Sequence, residues 1–172
     1  MVRALLLGER MPPGDRDMNT KLDAKDRQIL QALQRNGRIT NHALAEEVNL
    51  SPSPCLRRLR ILEESGVIRG YNADIDPKQY GLSMMAFISI RLERHTKECV
   101  SHFESRIKLI DEILVCYLLT GGQDYLLHVL VKDLDGYDDF IRNRLHAIGG
   151  IASIDSSLCY NIVKNTPVFP DV

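Results

Sequence analysis

Residues 125–131, Tyr-Leu-Leu-His-Val-Leu-Val, constrain this chain more than any other stretch. Their branched and aromatic side chains suit a β-strand, but the usual apolar–polar alternation is missing. Tyr125, Leu127, Val129 and Val131 fall on one side, and Leu126 and Leu130 on the other. A soluble domain rarely leaves a contiguous apolar face in water, so both faces of the sheet holding this strand need a cover.

The neighbouring elements supply one cover. Met84 to Glu93 alternates as a strand, with Ala86, Ile88, Ile90 and Leu92 sharing a face. A helix is predicted over Glu98 to Leu109, presenting Phe103 and Ile107, and a strand over Ile113 to Leu119. Thr120-Gly121-Gly122-Gln123-Asp124 turns the chain into Tyr125. A second helix, Leu134 to Ile148, turns Tyr137, Phe140, Ile141 and Leu145 inward, stops at Gly149-Gly150, and a last strand runs from Ile151 to Leu158. The order β-α-β-β-α-β predicts a ferredoxin-like sandwich with helices on one face only. The simplest cover for the other face is a second copy of the same sheet, which makes a two-fold dimer.

The first part of the chain follows the helical period. Asp23 to Asn36 places Ile29, Leu30 and Leu33 on one stripe, and Thr40 caps a helix through Val48. Asn49-Leu50 leads straight to Ser51, an N-cap, with Pro52 at the first helical position and Gly66 as the stop. At 100° per residue Cys55, Leu59 and Leu62 share the inner face, whereas Ser53, Arg57, Arg60 and Glu64 share the outer one, with Arg58 on a flank. Three short helices with a tight turn before the last form a helix-turn-helix. Val67 to Ile75 reads as strand-like, either an arm of a small wing or a hinge strand. The expected architecture is therefore α+β: a winged-helix-like helix-turn-helix domain over 21–70, a linker strand at 71–82, a ferredoxin-like domain over 83–165 and a tail at 166–172. Residues 1–20 carry Pro12-Pro13-Gly14 and no periodicity, and read as a disordered extension in which Met18 is an alternative start.

Charge supports two roles. The net charge of −1 is unremarkable, but residues 21–70 hold nine Lys/Arg against six Asp/Glu, and 71–172 hold ten against fourteen. A basic module joined to an acidic one suits a DNA-binding head on a different kind of domain. Four widely spaced cysteines without a Cys-x-x-Cys pair read as reduced thiols, and five histidines without ligand spacing give no support for a metal. No apolar run spans a membrane, no signal segment is evident and no catalytic constellation appears, so the expectation is a cytoplasmic, nucleoid-associated protein that is not an enzyme and has no cofactor.

Three runs resemble the Lrp/AsnC (feast/famine) family of bacterial transcription regulators: Leu22-Asp23-x-x-Asp26-x-x-Ile29-Leu30-x-x-Leu33-Gln34-x-Asn36-Gly37-Arg38; Leu50-Ser51-Pro52-Ser53-Pro54-Cys55-x-x-Arg58-x-x-x-Leu62-Glu63-x-x-Gly66-Val67-Ile68-x-Gly70-Tyr71; and Leu119-Thr120-Gly121-x-x-Asp124-Tyr125-Leu126-Leu127. The resemblance implies a C-terminal domain that dimerises and assembles further, into octamers or related rings. It also implies an amino-acid or related effector bound between dimers near Gly121 to Tyr125. Two last-strand positions that often carry Thr in the family are Ile154 and Ser156 here, so one hydroxyl is missing.

The candidate contacts to double-stranded DNA are Ser51, Ser53, Arg57, Arg58 and Arg60 on the third helix, Arg69 beyond that helix, and Thr40, Asn41 and His42 opening the second. Guanidinium forks onto guanine or clamps phosphate, and Ser53 reaches a base edge or backbone. Asp124 is expected to accept a ligand ammonium beside loop amides, within an effector set of Thr120, Gly121, Gly122, Gln123, Asp124, Tyr125 and Ser156. Against this reading of a metabolite-responsive regulator stand an architectural DNA-wrapping protein with little effector response, and a metabolite-sensing or enzymatic module with the helices as an interaction domain.

Overall fold

A computed structural model describes residues 21–170; the extension read at 1–20 lies outside the described residues. The chain forms two units, one of residues 21–73 with 166–170 and one of residues 74–165.

The first unit is a three-helix head. Helix α1 (Ala24–Arg35) starts at Asp23 with a full capping box, in which the Asp23 carboxylate accepts from Asp26 N–H and the Asp26 carboxylate from Asp23 N–H. Helix α2 (Asn41–Glu47) is capped by Thr40. It ends in paired reverse bonds, Leu50 N–H to Ala45 O and Asn49 N–H to Glu46 O, with Asn49 at φ 54°. That is a Schellman end with asparagine in the left-handed position, one of few residues other than glycine to adopt it readily. It lets α3 (Pro52–Glu64) begin with only four residues between it and α2. Ile29, Ala32, Leu44, Ala45, Val48, Cys55 and Leu62 make the core of the head, and each is at most 2% exposed. Burial pushes the Cys55 thiol pKa up, which keeps it neutral and unreactive.

The strand expected over Val67 to Ile75 does not form. Ile68 instead bonds back to Leu62 O and packs on the head core, and the Tyr71 hydroxyl donates to Glu63 Oε1 at 2.9 Å. Among the described residues no strand pairs with this segment. The linker contains a short helix, α4 (Pro77–Tyr80), rather than a strand.

The second unit is the expected sandwich. Strands β1 (Met84–Leu92), β2 (Ile113–Leu118), β3 (Tyr125–Val131) and β4 (Ile151–Leu158) form one antiparallel sheet in the order β2-β3-β1-β4. Helix α5 (Lys97–Ile107) and helix α6 (Leu134–Asp139) cover one face. The continuous helix expected to Ile148 is broken: α6 passes into a π-helical segment, Phe140–Leu145, and a 3-10 turn, His146–Ile148. The wider winding still seats Phe140 and Leu145 in the core with Phe103, Ile88, Ile90, Leu127 and Val129.

The register sorts the remaining side chains. Phe87 pairs with His128, Met85 with Leu130 and Ser89 with Leu126, so these residues share the face that no helix of this unit covers. Val115 and Tyr117 of β2 join them, paired with His128 and Leu126. Phe87 and His128 stack with ring centroids 5.1 Å apart.

Candidate nucleic-acid interface and effector groove

Helix α3 buries Cys55 and Leu62 and half-buries Leu59, which fixes what it shows to solvent. Ser53, Leu56, Arg57, Arg60, Ile61 and Glu64 line one open face. Among the described residues neither Arg57 nor Arg60 has a hydrogen-bonding or ion-pairing partner; the Arg60–Glu64 pair that helical spacing allows is not made. Two uncommitted guanidinium groups one turn apart, with a serine at the helix start, can meet the edge of a duplex.

Arg58 is a correction. Its Nη1 donates to Asp23 Oδ2 at 2.7 Å and to Asp26 Oδ1 at 2.8 Å, and the side chain is 29% exposed. The two carboxylates of the α1 capping box hold the guanidinium and raise its pKa further, so Arg58 ties α3 to α1 and is withdrawn as a DNA contact. Asp23 in turn is held below the usual carboxylate range by the Asp26 N–H first and Arg58 second.

The start of α2 is mostly structural. Thr40 Oγ1 accepts from Ala43 N–H, and Asn41 Nδ2 donates to Pro52 O at 3.0 Å, which fixes the start of α3 against α2. Asn41 Oδ1 is buried and unpartnered. His42 is exposed, 3.5 Å from Glu46. Ser51 sits at the N-cap position without a side-chain cap bond, and Ser51, Ser53 and Arg69 are all exposed.

The presumed effector loop is reorganised in two places. Asp124 Oδ2 accepts from Leu92 N–H at 2.7 Å, and Oδ1 lies 2.8 Å from His95 Nε2. The ladder between β1 and β4 shifts register between Arg91 and Leu92, and the carboxylate satisfies a backbone donor at that irregularity. The Leu92 bond, then His95, hold the Asp124 pKa below its ordinary value. Asp124 therefore pins the β2–β3 hairpin to the end of β1, with each of its oxygens already holding one partner. Tyr125 is 2% exposed, lies 4.7 Å from the Phe103 ring, and donates to Glu104 Oε1 at 3.0 Å. Burial, then Glu104, push its pKa to about 12. It is a core residue, as its place on the helix-covered side of β3 requires, and not an effector contact. Thr120, Gly121 and Gly122 remain exposed, and Gly121 sits at φ 124°, open to glycine alone without strain. Gln123 Oε1 is buried without a partner.

Ser156 lies elsewhere. It pairs with Ile88 on the edge strand β4 and lines a groove of about 350 Å³ with Tyr137, Asp138, Ile141, Ser153 and Ile154. None of residues 120–125 lines that groove, so one chain does not bring the two halves of the predicted effector set together. Residues Tyr137, Asp138, Ile141 and Ser153 were not legible as site residues, because Tyr137 and Ile141 follow the same period as true core positions. Leu56 and Ile61 were also missed, although the helical wheel puts both off the buried stripe.

These two features, an open arginine face on a helix-turn-helix and a grooved ferredoxin-like sandwich, coincide with two family models. The Lrp/AsnC ligand binding domain matches residues 85–169, and a winged helix-turn-helix DNA-binding domain matches residues 22–69. The chain is 41% identical over 143 residues to the Bkd operon transcriptional regulator of Pseudomonas aeruginosa, covering 83% of this chain and 94% of that protein. It belongs to the Lrp/AsnC family. The leucine-responsive regulatory protein of Escherichia coli is 38% identical over 84% of this chain and 88% of its own length. Among solved structures, a transcriptional regulator of Neisseria meningitidis in complex with L-Met superposes with a TM-score of 0.83 at 40% identity, over 87% of this chain and 96% of that one. Membership makes this Lrp/AsnC protein a DNA-binding transcription regulator with a small-molecule-binding domain. No described helix is long and apolar enough to cross a membrane.

Proposed function

We propose that this regulator acts as a two-fold assembly that sets two α3 helices in successive major-groove half-sites and alters their placement when an amino acid binds, with no chemical step and no cofactor of its own. The observation that carries the DNA reading is the pair Arg57 and Arg60, exposed on one face of α3 and committed to no carboxylate among the described residues. Ser51 and Ser53 flank them near the helix start, where recognition helices meet base edges. His42 and Arg69, both exposed, stand as backbone-phosphate contacts, with Thr40 and Asn41 setting the start of α2 behind His42.

Amino-acid binding is supported by the groove beside β4 and by the Neisseria relative's L-Met complex. Ser156 supplies a hydroxyl and Asp138 a carboxylate that Arg142 Nε already holds at 2.7 and 2.8 Å, while Ile141, Ile151 and Ile154 supply an apolar wall, which favours an aliphatic side chain over a charged one. The exposed Thr120–Gly122 segment completes the site only when brought by a neighbouring copy. Such a site lies between subunits of an octamer or comparable ring and works in the cytoplasm, at the nucleoid. Coupling between groove and DNA on the order of 1–3 kcal/mol is the normal scale for such a switch.

The test is a gel shift of the full chain on its own upstream DNA at moderate salt. Arg57→Ala with Arg60→Ala should weaken binding by at least tenfold, since each good base contact carries about 1–3 kcal/mol. Unchanged affinity would refute the recognition-helix assignment. Calorimetric titration with the twenty amino acids should give heat with at least one aliphatic member. Silence across the panel would favour an architectural role.

A further inference from the structure

We propose that Leu56 reads a thymine through its C5-methyl group, making it a specificity-determining residue of the α3 face. The inference rests on the assignment of α3 as the recognition helix. Leu56 is 36% exposed, whereas Leu44 and Leu62 of the same head are at most 2% exposed and Leu22, Leu30, Leu33, Leu50 and Leu59 pack partly buried against its core. It stands 100° round the helix from Cys55, at the centre of the buried stripe, and therefore outside the core. Its neighbours on the open face are Ser53 one turn before it and Arg60 one turn after, with Arg57 adjacent. The occupant of this face must suit arginines that lack carboxylate partners and an aliphatic side chain beside them, next to Arg57 and one turn before Arg60. Duplex DNA offers both at once: guanine O6/N7 and phosphate for the arginines, and one apolar group on the major-groove edge, the thymine methyl. Leu56 lies in the first half of α3, the half of a recognition helix that reaches base edges. Ile61, 46% exposed on the opposite flank, lies in the second half and serves as the internal control.

The test uses full-length wild-type protein to select a preferred duplex from a random-sequence pool, then replaces each thymine in turn with deoxyuridine. Deoxyuridine pairs identically and lacks only the methyl. Wild type should bind about three- to fivefold more weakly at one thymine of each half-site, the worth of one buried methyl-sized group. Leu56→Ala should bind the thymine and deoxyuridine duplexes equally at that position, while Ile61→Ala keeps the wild-type difference. The proposal falls if every replacement is silent with wild type, or if Leu56→Ala retains the full difference, or if Ile61→Ala is the variant that loses it. An Arg57→Ala, Arg60→Ala arm separates this from failure of the underlying assignment: if that variant loses binding to every duplex while deoxyuridine is silent, α3 is the reader and Leu56 is not.

Discussion

Arg57 and Arg58 are adjacent in sequence and 100° apart on α3, and that rotation separates their roles. Arg58 meets two carboxylates at 2.7 and 2.8 Å, whereas Arg57 meets none among the described residues. A single guanidinium shared by two acids, one of them only 16% exposed, is worth more than an isolated surface pair. Arg58→Ala should lower the stability of the chain by about 1 kcal/mol in denaturant unfolding, at the upper end for such pairs. Its effect on DNA should follow from that loss alone, leaving the slope of log affinity against log salt at the wild-type value. Arg57→Ala should do the reverse, with stability unchanged and either the slope reduced by about one or the preference at one base position relaxed. Equal salt slopes for the two variants, with equal losses of affinity, would show that Arg58 is not a structural tie. The stabilisation from Asp23 has a defined pH direction. Its folded pKa is lowered, so its contribution is complete above the ordinary carboxylate value and is lost as pH falls through the folded one.

At the scale of elements, the uncovered sheet face carries one imidazole among mostly apolar neighbours. His128 Nε2 is buried without a partner, and burial lowers the ring's pKa below 6.5. Phe87 stacks on it from β1 and Val115 faces it from β2, with Met85, Leu126, Leu130 and Tyr117 around them. The charged groups of this face, Arg91 on β1 and Asp155 on β4, lie toward the far end, paired with Ser153 and Ser89. Because the folded pKa is the lower one, the unfolded chain binds the proton first. Stability from the neutral ring is complete above about pH 6.5 and is lost as pH falls through the folded value. Melting temperature should therefore drop more steeply below pH 6.5 in wild type than in His128→Phe; parallel curves would show that the ring bears no such load. The same strand shows what was legible in the sequence. Side-chain period alone put Tyr125, Leu127 and Val129 on one face and Leu126 and Leu130 on the other, because period two follows from strand geometry; which face the helices cover came only with the fold. Tyr125 lies on the side packed by Phe103, and burial decides for the core. The partners of Asp124, Leu92 N–H and His95, were not legible because they are about thirty residues away in sequence, and only the folded hairpin brings them together. The π-helical turn after α6 left no trace in the apolar period, since Phe140 and Leu145 reach the core either way.

At the scale of the whole molecule, the open sheet face and the short α3 face pose the same problem. One helix reads one half-site, and two half-sites one helical turn apart need two heads held by a fixed connection. Phe87, Val115 and Tyr117 are each at least a third exposed on the uncovered face, and a second copy related by a two-fold axis would match that patch with itself. Phe87→Asp places a carboxylate at the centre of the patch without touching the helix-side core. The variant should stay folded by circular dichroism yet sediment at a lower mass than wild type. Its affinity for a duplex with two half-sites should fall toward that for a single half-site, a drop of roughly 10²–10⁴-fold when the second contact no longer benefits from linkage. Any amino acid that shifts DNA binding of the wild type should have no such effect on the variant, because a groove completed by a neighbour's Thr120–Gly122 loses its other half. If Phe87→Asp keeps the wild-type mass and still responds to the amino acid, the assembly uses another surface, and the apolar face of β3 has a different cover.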